Sequence, residues 1–419
     1  MEIEIINIGD ELLIGQVINT NAAWMAEQLN LSGFSILQFT VISDDRDHIL
    51  KALSDAEKRA SIVLISGGIG PTSDDITKQT LCEFFGSTLV FNEEAFRDIE
   101  ELFRRRGIPV TDLNRKQAEL PENCSTIPNK LGTARGMWFD KQGRNGQEIV
   151  FVSMPGVPFE MKAMMTGDII PRLKKKFKTS AICHKTILTQ GIGESFLAEK
   201  ISSWEASLPK MISLAYLPQP GIVRLRLTGV GKDEQELHQM IDNEVLKLNN
   251  LLAYYIFGYD DDTLEEIVGK LLKSKGATVG IAESCTGGYI AHLLTRIPGS
   301  SNYFKGSVVA YANGIKEKVL GVTGESLIKY GAVSEQVVKE MAYGIQKSFE
   351  VDYAIAVTGI AGPDGGTVEK PVGSAWIAIA TPGQIIVNHY LFGDSRERNI
   401  RRIALQALNL LRMAILKSL

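Results

Sequence analysis

Strand and helix patterns alternate along the first part of the chain, and no other feature constrains the fold as much. Ile3–Ile8 and Ile36–Ile42 read as strands, and Asn21–Leu31 and Asp47–Ala60 read as helices. Ile62–Ser66 is a short β-branched run that ends in glycines, and a helical pattern from Asp75 to Phe85 follows it. Such alternation predicts an α/β fold with a parallel sheet, and it places ligands at the carboxyl ends of the strands. Glu148–Met154 adds a later strand, which Pro155-Gly156-Val157-Pro158 breaks sharply.

Two further patterns follow. The middle of the chain reads as a small α+β unit, with strands at Lys185–Gln190, Ile212–Tyr216 and Val223–Gly229 and helices at Glu194–Glu205 and Asp233–Asn249. Its loop Gln190-Gly191-Ile192-Gly193-Glu194 reads as a turn before a helix. The last part opens with a helix at Leu264–Lys275 and closes with a long amphipathic one at Arg396–Leu416. Strands lie between them at Thr278–Ala282, Val308–Ala312, Tyr353–Val357, Gly373–Ala380 and Ile385–Leu391. A length of 419 residues suits two or three domains. The predicted bounds are 1–172, 173–257 and 258–419.

Composition narrows the chemistry. A net charge of -4 gives no basic face for bulk nucleic-acid binding. The runs Arg104-Arg105-Arg106 and Lys174-Lys175-Lys176 each close a helical stretch, where cations complement the dipole. Four cysteines without paired spacing fit a reduced compartment, and five scattered histidines disfavour a histidine metal site or a Ser-His-Asp triad. No apolar segment is long enough to span a bilayer. The expectation is a cytoplasmic protein with no membrane and no nucleic-acid partner.

Ala282-Glu283-Ser284-Cys285-Thr286-Gly287-Gly288 joins a strand to a helix. One reading makes Ser284 a nucleophile at a helix N-terminus, where backbone N–H groups receive an oxyanion. The other makes the segment a tight turn with Thr286 as the N-cap. Serine catalysis needs a base, and Lys316 is the candidate once burial lowers its pKa. The strand end Tyr311-Ala312-Asn313-Gly314-Ile315-Lys316 puts it in the first turn of a short helix, opposing the dipole. A third strand end, from Thr358 and Gly359 to Gly366, is rich in small residues that leave backbone N–H groups accessible. Arg396 and Arg398 begin the last helix, again against its dipole.

In the first domain, Ser66-Gly67-Gly68-Ile69-Gly70-Pro71-Thr72-Ser73-Asp74-Asp75 lies between a strand and a helix. Its glycines suit a phosphate, and a divalent cation would reconcile phosphate with the two aspartates; one aspartate simply capping the helix is the alternative. Gly9-Asp10-Glu11, Thr20-Asn21 and Asn114-Arg115-Lys116 add polar groups.

Residues 260 to 419 resemble the C-terminal domain of the CinA family, the nicotinamide mononucleotide amidohydrolases. The resemblance rests on AESCTGG, YANGIKEKVLGV, AVTGIAGPDGG with KPVG, and SRERNIRR. It implies hydrolysis of the substrate's carboxamide to nicotinate mononucleotide and ammonia, without a cofactor. Ser284 would be the nucleophile and Lys316 the base. Tyr311 and Thr358 would orient the dyad or substrate, Asn313 and Gly359 would contact substrate, and Arg398 would meet the phosphate or a developing charge. GDELL, TN, SGGIGPTSDD, NRKQAELP and MPGVP likewise resemble the molybdopterin-binding-like three-layer α/β/α domain of CinA proteins. That implies metal-dependent cleavage of the ADP-ribose pyrophosphate, with molybdopterin binding or adenylyl transfer as an alternative on the same fold. Gly67, Gly68, Gly70, Thr72 and Asn21 would bind substrate and Lys116 would stabilise charge. Asp74, Asp75 and Asp10 would hold magnesium, manganese or cobalt, with potassium a further candidate. The middle unit resembles the KH-like domain of these proteins but lacks a GxxG loop flanked by basic residues. A spacer or dimerisation role, and a homodimer, are expected. A non-enzymatic role in DNA uptake or recombination is the reading the composition opposes.

Overall fold

A computed structural model describes residues 2–72, 75–143 and 146–417. By its contacts the chain divides into two compact units. One holds the chain up to Cys183 together with Val230–Leu237, and the other holds the remainder.

The first unit is built on a six-stranded sheet in the order Ser35–Ile42, Glu2–Ile8, Ile62–Ser66, Glu148–Met154, Gly136–Gln142, Ser125–Ile127. Its first four strands run parallel, as the alternation predicts. Gly136–Gln142 then pairs antiparallel with Glu148–Met154, and Ser125–Ile127 pairs antiparallel with Gly136–Gln142. Period-two alternation covers both faces of this sheet. Ile3, Ile5, Leu64 and Val152 pack with Met25, Leu29 and Met161 on one side. Ile6, Ile8, Val63 and Phe151 pack with Ile49, Leu53 and Ile99 on the other. The result is three layers, α/β/α. Glu4 interrupts the apolar strand as a fully buried carboxylate, and Arg59 at 2.7 Å and the Thr40 hydroxyl at 2.6 Å satisfy it.

The second unit carries a five-stranded sheet in the order Phe304–Val309, Val279–Glu283, Tyr353–Gly359, Ser374–Ala380, Ile385–Leu391. Three strands are parallel, and the last two join antiparallel. The faces differ in side-chain size. Ile281, Ile355, Val357, Ile377 and Ile379 meet the helices Leu264–Lys275 and Arg396–Lys417. Ala282, Ala354, Ala356, Ala378 and Ala380 meet the helix Glu335–Phe349, and their small size lets it approach closely. Gly344 on that helix continues the pattern: a Cβ there would lie 1.8 Å from the carbonyl oxygen of Leu320, which ends the helix Asn313–Leu320.

A four-stranded sheet in the order Ile212–Gln219, Ile222–Gly231, Ala181–Gln190, Ile256–Tyr259 forms the middle of the chain. Val223, Leu225 and Leu227 alternate inward along one of its strands. No helix among the described residues is long and apolar enough to cross a membrane.

Candidate functional sites

Three adjacent parallel strands bring the serine, the lysine and the threonine to one edge of the five-stranded sheet. The Ser284 N–H donates to the Val357 carbonyl at 3.1 Å, and the Ala310 N–H donates to the Glu283 carbonyl at 2.7 Å. Lys316 Nζ then donates to the Ala310 carbonyl at 2.7 Å and to that of Tyr311 at 3.3 Å. The strand before Tyr311 thus ends at Val309, short of the predicted Ala312, because the following backbone bends to serve Glu283 and Lys316. Lys316 is 1% exposed. Burial pushes its ammonium pKa down, and the neighbouring Cys285 opposes that shift. Cys285 itself is buried, and desolvation lifts its thiol to about 12, which leaves it a poor nucleophile beside Ser284.

Thr286 is not the helix cap. The helix Tyr289–Thr295 begins after Gly288, which sits at φ 96, and a carboxylate from the preceding strand caps it. Fully buried Glu283 accepts from the Thr286 hydroxyl at 2.6 Å and from the N–H groups of Gly288, Ile290 and Ala291 at 3.0, 3.1 and 2.9 Å. The orphan donors of this helix, expected to serve an oxyanion, are therefore already occupied. The Cys285 and Thr286 N–H groups, upstream of the helix, donate to no acceptor among the described residues.

Thr358 is buried and donates to the Ala332 carbonyl at 2.8 Å, so it fixes the opposite rim. Tyr311 is exposed, and its hydroxyl accepts from Arg396 Nη2 at 3.0 Å; Arg396 Nη1 donates to the Gly362 carbonyl at 2.8 Å. Arg398 is exposed and makes no hydrogen bond among the described residues, whereas Arg396 reaches the site. Asn313 is exposed at the start of the lysine's helix. Gly359 permits close strand approach, since a Cβ there would lie 2.7 Å from the Ser374 carbonyl oxygen.

The first unit gathers its polar groups differently. Gly67 and Gly68 have φ of 116° and 65°, and a Cβ on either would come within 2.1 Å of the Ile8 carbonyl or the Thr77 hydroxyl. Both conformation and space demand glycine. At Gly70 a Cβ would press on the Asp75 carboxylate. That carboxylate accepts from the Thr72 N–H at 3.0 Å and from the Thr72 hydroxyl, closing a turn. The helix therefore begins at Thr77 rather than at Asp75. Asp74 lies outside the described residues.

Asp44 belongs with this group, and the sequence reading missed it. It follows the strand Ser35–Ile42 and accepts from the Asp10 N–H at 3.2 Å. Burial raises its pKa, and the charges of Asp10, Glu11 and Asp75 add to the rise against the pull of that hydrogen bond. Its placement at a strand's carboxyl end was the available signal. Asn21 donates to the Gly156 carbonyl at 2.7 Å, yet its Oδ1, like the Thr77 hydroxyl, is buried without a partner. Lys116 lines a cavity of about 300 Å³ with Gly70, Thr72, Asp75 and Lys78. Burial lowers the Lys78 pKa, while Glu119 and Asp75 hold it up. The oxygen-only donors suit a hard divalent cation, which would relieve the repulsion felt at Asp44. Among the described residues, no three of these carboxylates lie within 4.8 Å of one another.

Residues 261–415 match the family described as the CinA C-terminal domain. Residues 4–175 match the probable molybdopterin binding domain, and 184–258 match the damage-inducible protein CinA KH domain. A CinA-like protein of Cytophaga hutchinsonii is 47% identical over 409 residues, covering 98% of this chain and 97% of its own. One of Flavobacterium psychrophilum is 46% identical over 423 residues, covering 100% and 99%. Among solved structures, the competence/damage inducible protein CihA of Agrobacterium tumefaciens matches 36% of this chain and 93% of its own at 39% identity, with a TM-score of 0.36. The chain belongs to the CinA family. Its fold is a molybdopterin-binding-like α/β/α domain, a KH-like middle and a CinA C-terminal α/β domain.

Proposed function

We propose that the protein is a two-site hydrolase of pyridine nucleotide salvage. The C-terminal site hydrolyses the carboxamide of nicotinamide mononucleotide. The observation that carries this reading is Lys316, a buried lysine with a lowered pKa, tied through Ala310 to the residue before Ser284. Neutral Lys316 accepts the Ser284 proton as Oγ attacks the amide carbon, and the Thr286 N–H receives the oxyanion. Collapse transfers the proton to the departing nitrogen, releasing ammonia and leaving a serine ester. Water, deprotonated by the same lysine, then yields the nicotinate nucleotide and restores Ser284.

The N-terminal site cleaves the pyrophosphate of ADP-ribose. Among the described residues Asp10, Asp44 and Asp75 do not close together as three ligands, so one or two of them would hold a divalent cation, which would supply charge neutralisation when bound, with Asp74 a further candidate outside the described residues. The Gly67–Thr72 turn orients the phosphates, and Lys116 balances their charge. The molybdopterin description attached to this unit favours a second reading, a phosphorylated pterin on the same turn. ADP-ribose and molybdopterin compared as thermal protectants separate the two. A paired assay tests the whole proposal: ammonia from nicotinamide mononucleotide, and AMP from ADP-ribose with and without divalent metal. Ammonia release undiminished by Ser284→Ala would refute the first assignment, and no AMP under either condition would refute the second.

A further inference from the structure

Neither reaction uses the glycine-rich turn Gln190-Gly191-Ile192-Gly193-Glu194. It leads into the helix Glu194–Ala206, whose N-cap, Gly193, offers no side-chain cap. The backbone N–H groups of Gly191 through Phe196 donate to no acceptor among the described residues. Gly191, Ile192, Gly193 and Glu194 among them border a cavity of about 340 Å³ that Phe392, Ile222 and Arg402 also line. The half-buried Arg402 makes no hydrogen bond and no ion pair among the described residues. Gln190 is 3% exposed, and its Oε1 is buried without a partner, while its Nε2 reaches Gln406 only at 3.5 Å.

These groups ask for complementary chemistry. Unpaired amides at a helix N-terminus and an unpaired guanidinium favour a phosphate. A buried, unpaired carbonyl oxygen favours a hydroxyl or amine donor on the same ligand. Phe392 and Ile222 favour a flat apolar ring, and the volume falls in the small-ligand range. The carboxylate of Glu194 opposes an anion, but the residue is exposed and its charge is screened.

We infer that this cavity binds a phosphomonoester of a ring-bearing compound, of the nucleoside monophosphate class. The phosphate lies between Arg402 and the amides of Gly191, Ile192, Gly193 and Glu194, and a sugar or ring donor meets Gln190. Its lining shares no residue with either candidate hydrolytic site.

Hydrogen exchange of the full chain, with AMP and inorganic phosphate as probes, reads the site locally. AMP should slow exchange in the peptide spanning Gln190–Leu197, and inorganic phosphate should do so less. Arg402→Gln should weaken AMP protection of that peptide by about tenfold. Gly193→Asp places a capping carboxylate where the phosphate would sit, so it should abolish protection without loss of folding. Ser284→Ala and Asp75→Asn should leave it intact. No slowing at millimolar AMP, or protection unchanged in both Arg402→Gln and Gly193→Asp, overturns the site. Equal protection by phosphate and AMP overturns the ring and donor contacts.

Discussion

The two candidate sites, each at the carboxyl edge of a parallel sheet, are finished to different degrees. Around Ser284 the supporting polar groups already have partners, although the Ser284 hydroxyl itself makes no hydrogen bond among the described residues: Glu283 accepts four hydrogen bonds, Lys316 donates to two carbonyls, and Thr358 and Arg396 brace the rims. Around Gly67–Asp75 the carboxylates repel one another, and the Asn21 and Thr77 oxygens stand unpaired. On the proposed reading, a serine hydrolase needs the frame around its dyad built in the free protein. A site that handles pyrophosphate can leave its charges unbalanced until a cation and an anion arrive together. Preorganisation is thus visible in the first case as satisfied hydrogen bonds, and completion by ligand is visible in the second as unsatisfied ones.

The comparison breaks most plainly on activity. Ser284→Ala should cut ammonia release at least about a thousandfold with an unchanged melting temperature, while AMP release persists. Cys285→Ala should retain most ammonia release, because its buried thiol stays protonated at neutral pH. A large loss there would move the nucleophile by one residue. Stability comes next. Glu283→Ala removes a charged cap and strands buried donors, so urea denaturation should show a loss of about 3 kcal/mol or more. Asp44→Asn should show the opposite sign. The folded-state pKa of Asp44 is raised, so the native state binds its proton more tightly than the unfolded chain, and stability falls as pH rises through that range. The asparagine variant should lose that pH dependence and be no less stable at neutral pH.

A smaller effect concerns the lysine's titration. With a folded pKa below the ordinary 10.5, Lys316 should make kcat/KM for ammonia release climb with pH to an inflection below that value. Stability should also climb as pH rises through the gap between folded and unfolded values, since the unfolded chain holds the extra proton there. A flat profile from pH 6 to 10 would remove Lys316 as the base. The smallest effect belongs to Tyr311→Phe, which removes the hydroxyl that accepts from Arg396. Roughly a fivefold fall in kcat/KM is expected, the worth of about one hydrogen bond.

The alternation in the first domain was legible because it is a local pattern, and the strands and helices to Phe85 match it within two residues or so. So was the convergence of Ser284, Lys316 and Thr358, which follows from reading successive strand ends. What escaped was decided by partners far away in the chain. Glu283 reads in the sequence as part of the junction after the strand Thr278–Ala282, and nothing local marks a buried carboxylate that reaches past four residues to cap a helix. Asp44 looked like a loop residue until Asp10, 34 positions earlier, was brought beside it. Arg396 and Arg398 both read as cations at a helix start, with the resemblance naming Arg398; the contacts of Arg396 with Gly362 and Tyr311 come from distant segments that no local pattern encodes. The antiparallel strands Gly136–Gln142 and Ser125–Ile127 depend on pairing along the sheet edge, which alternation does not encode.

The contact at Gly344 reaches further than packing. A methyl group there has no room against the Leu320 carbonyl, and Leu320 closes the short helix that carries Lys316. Gly344→Ala would therefore act as a wedge driven between two helices, shifting the base while touching neither serine nor substrate. The amidase reading then has a lever 28 residues downstream of its lysine, where a side chain too small to do chemistry sets the distance over which a proton must move.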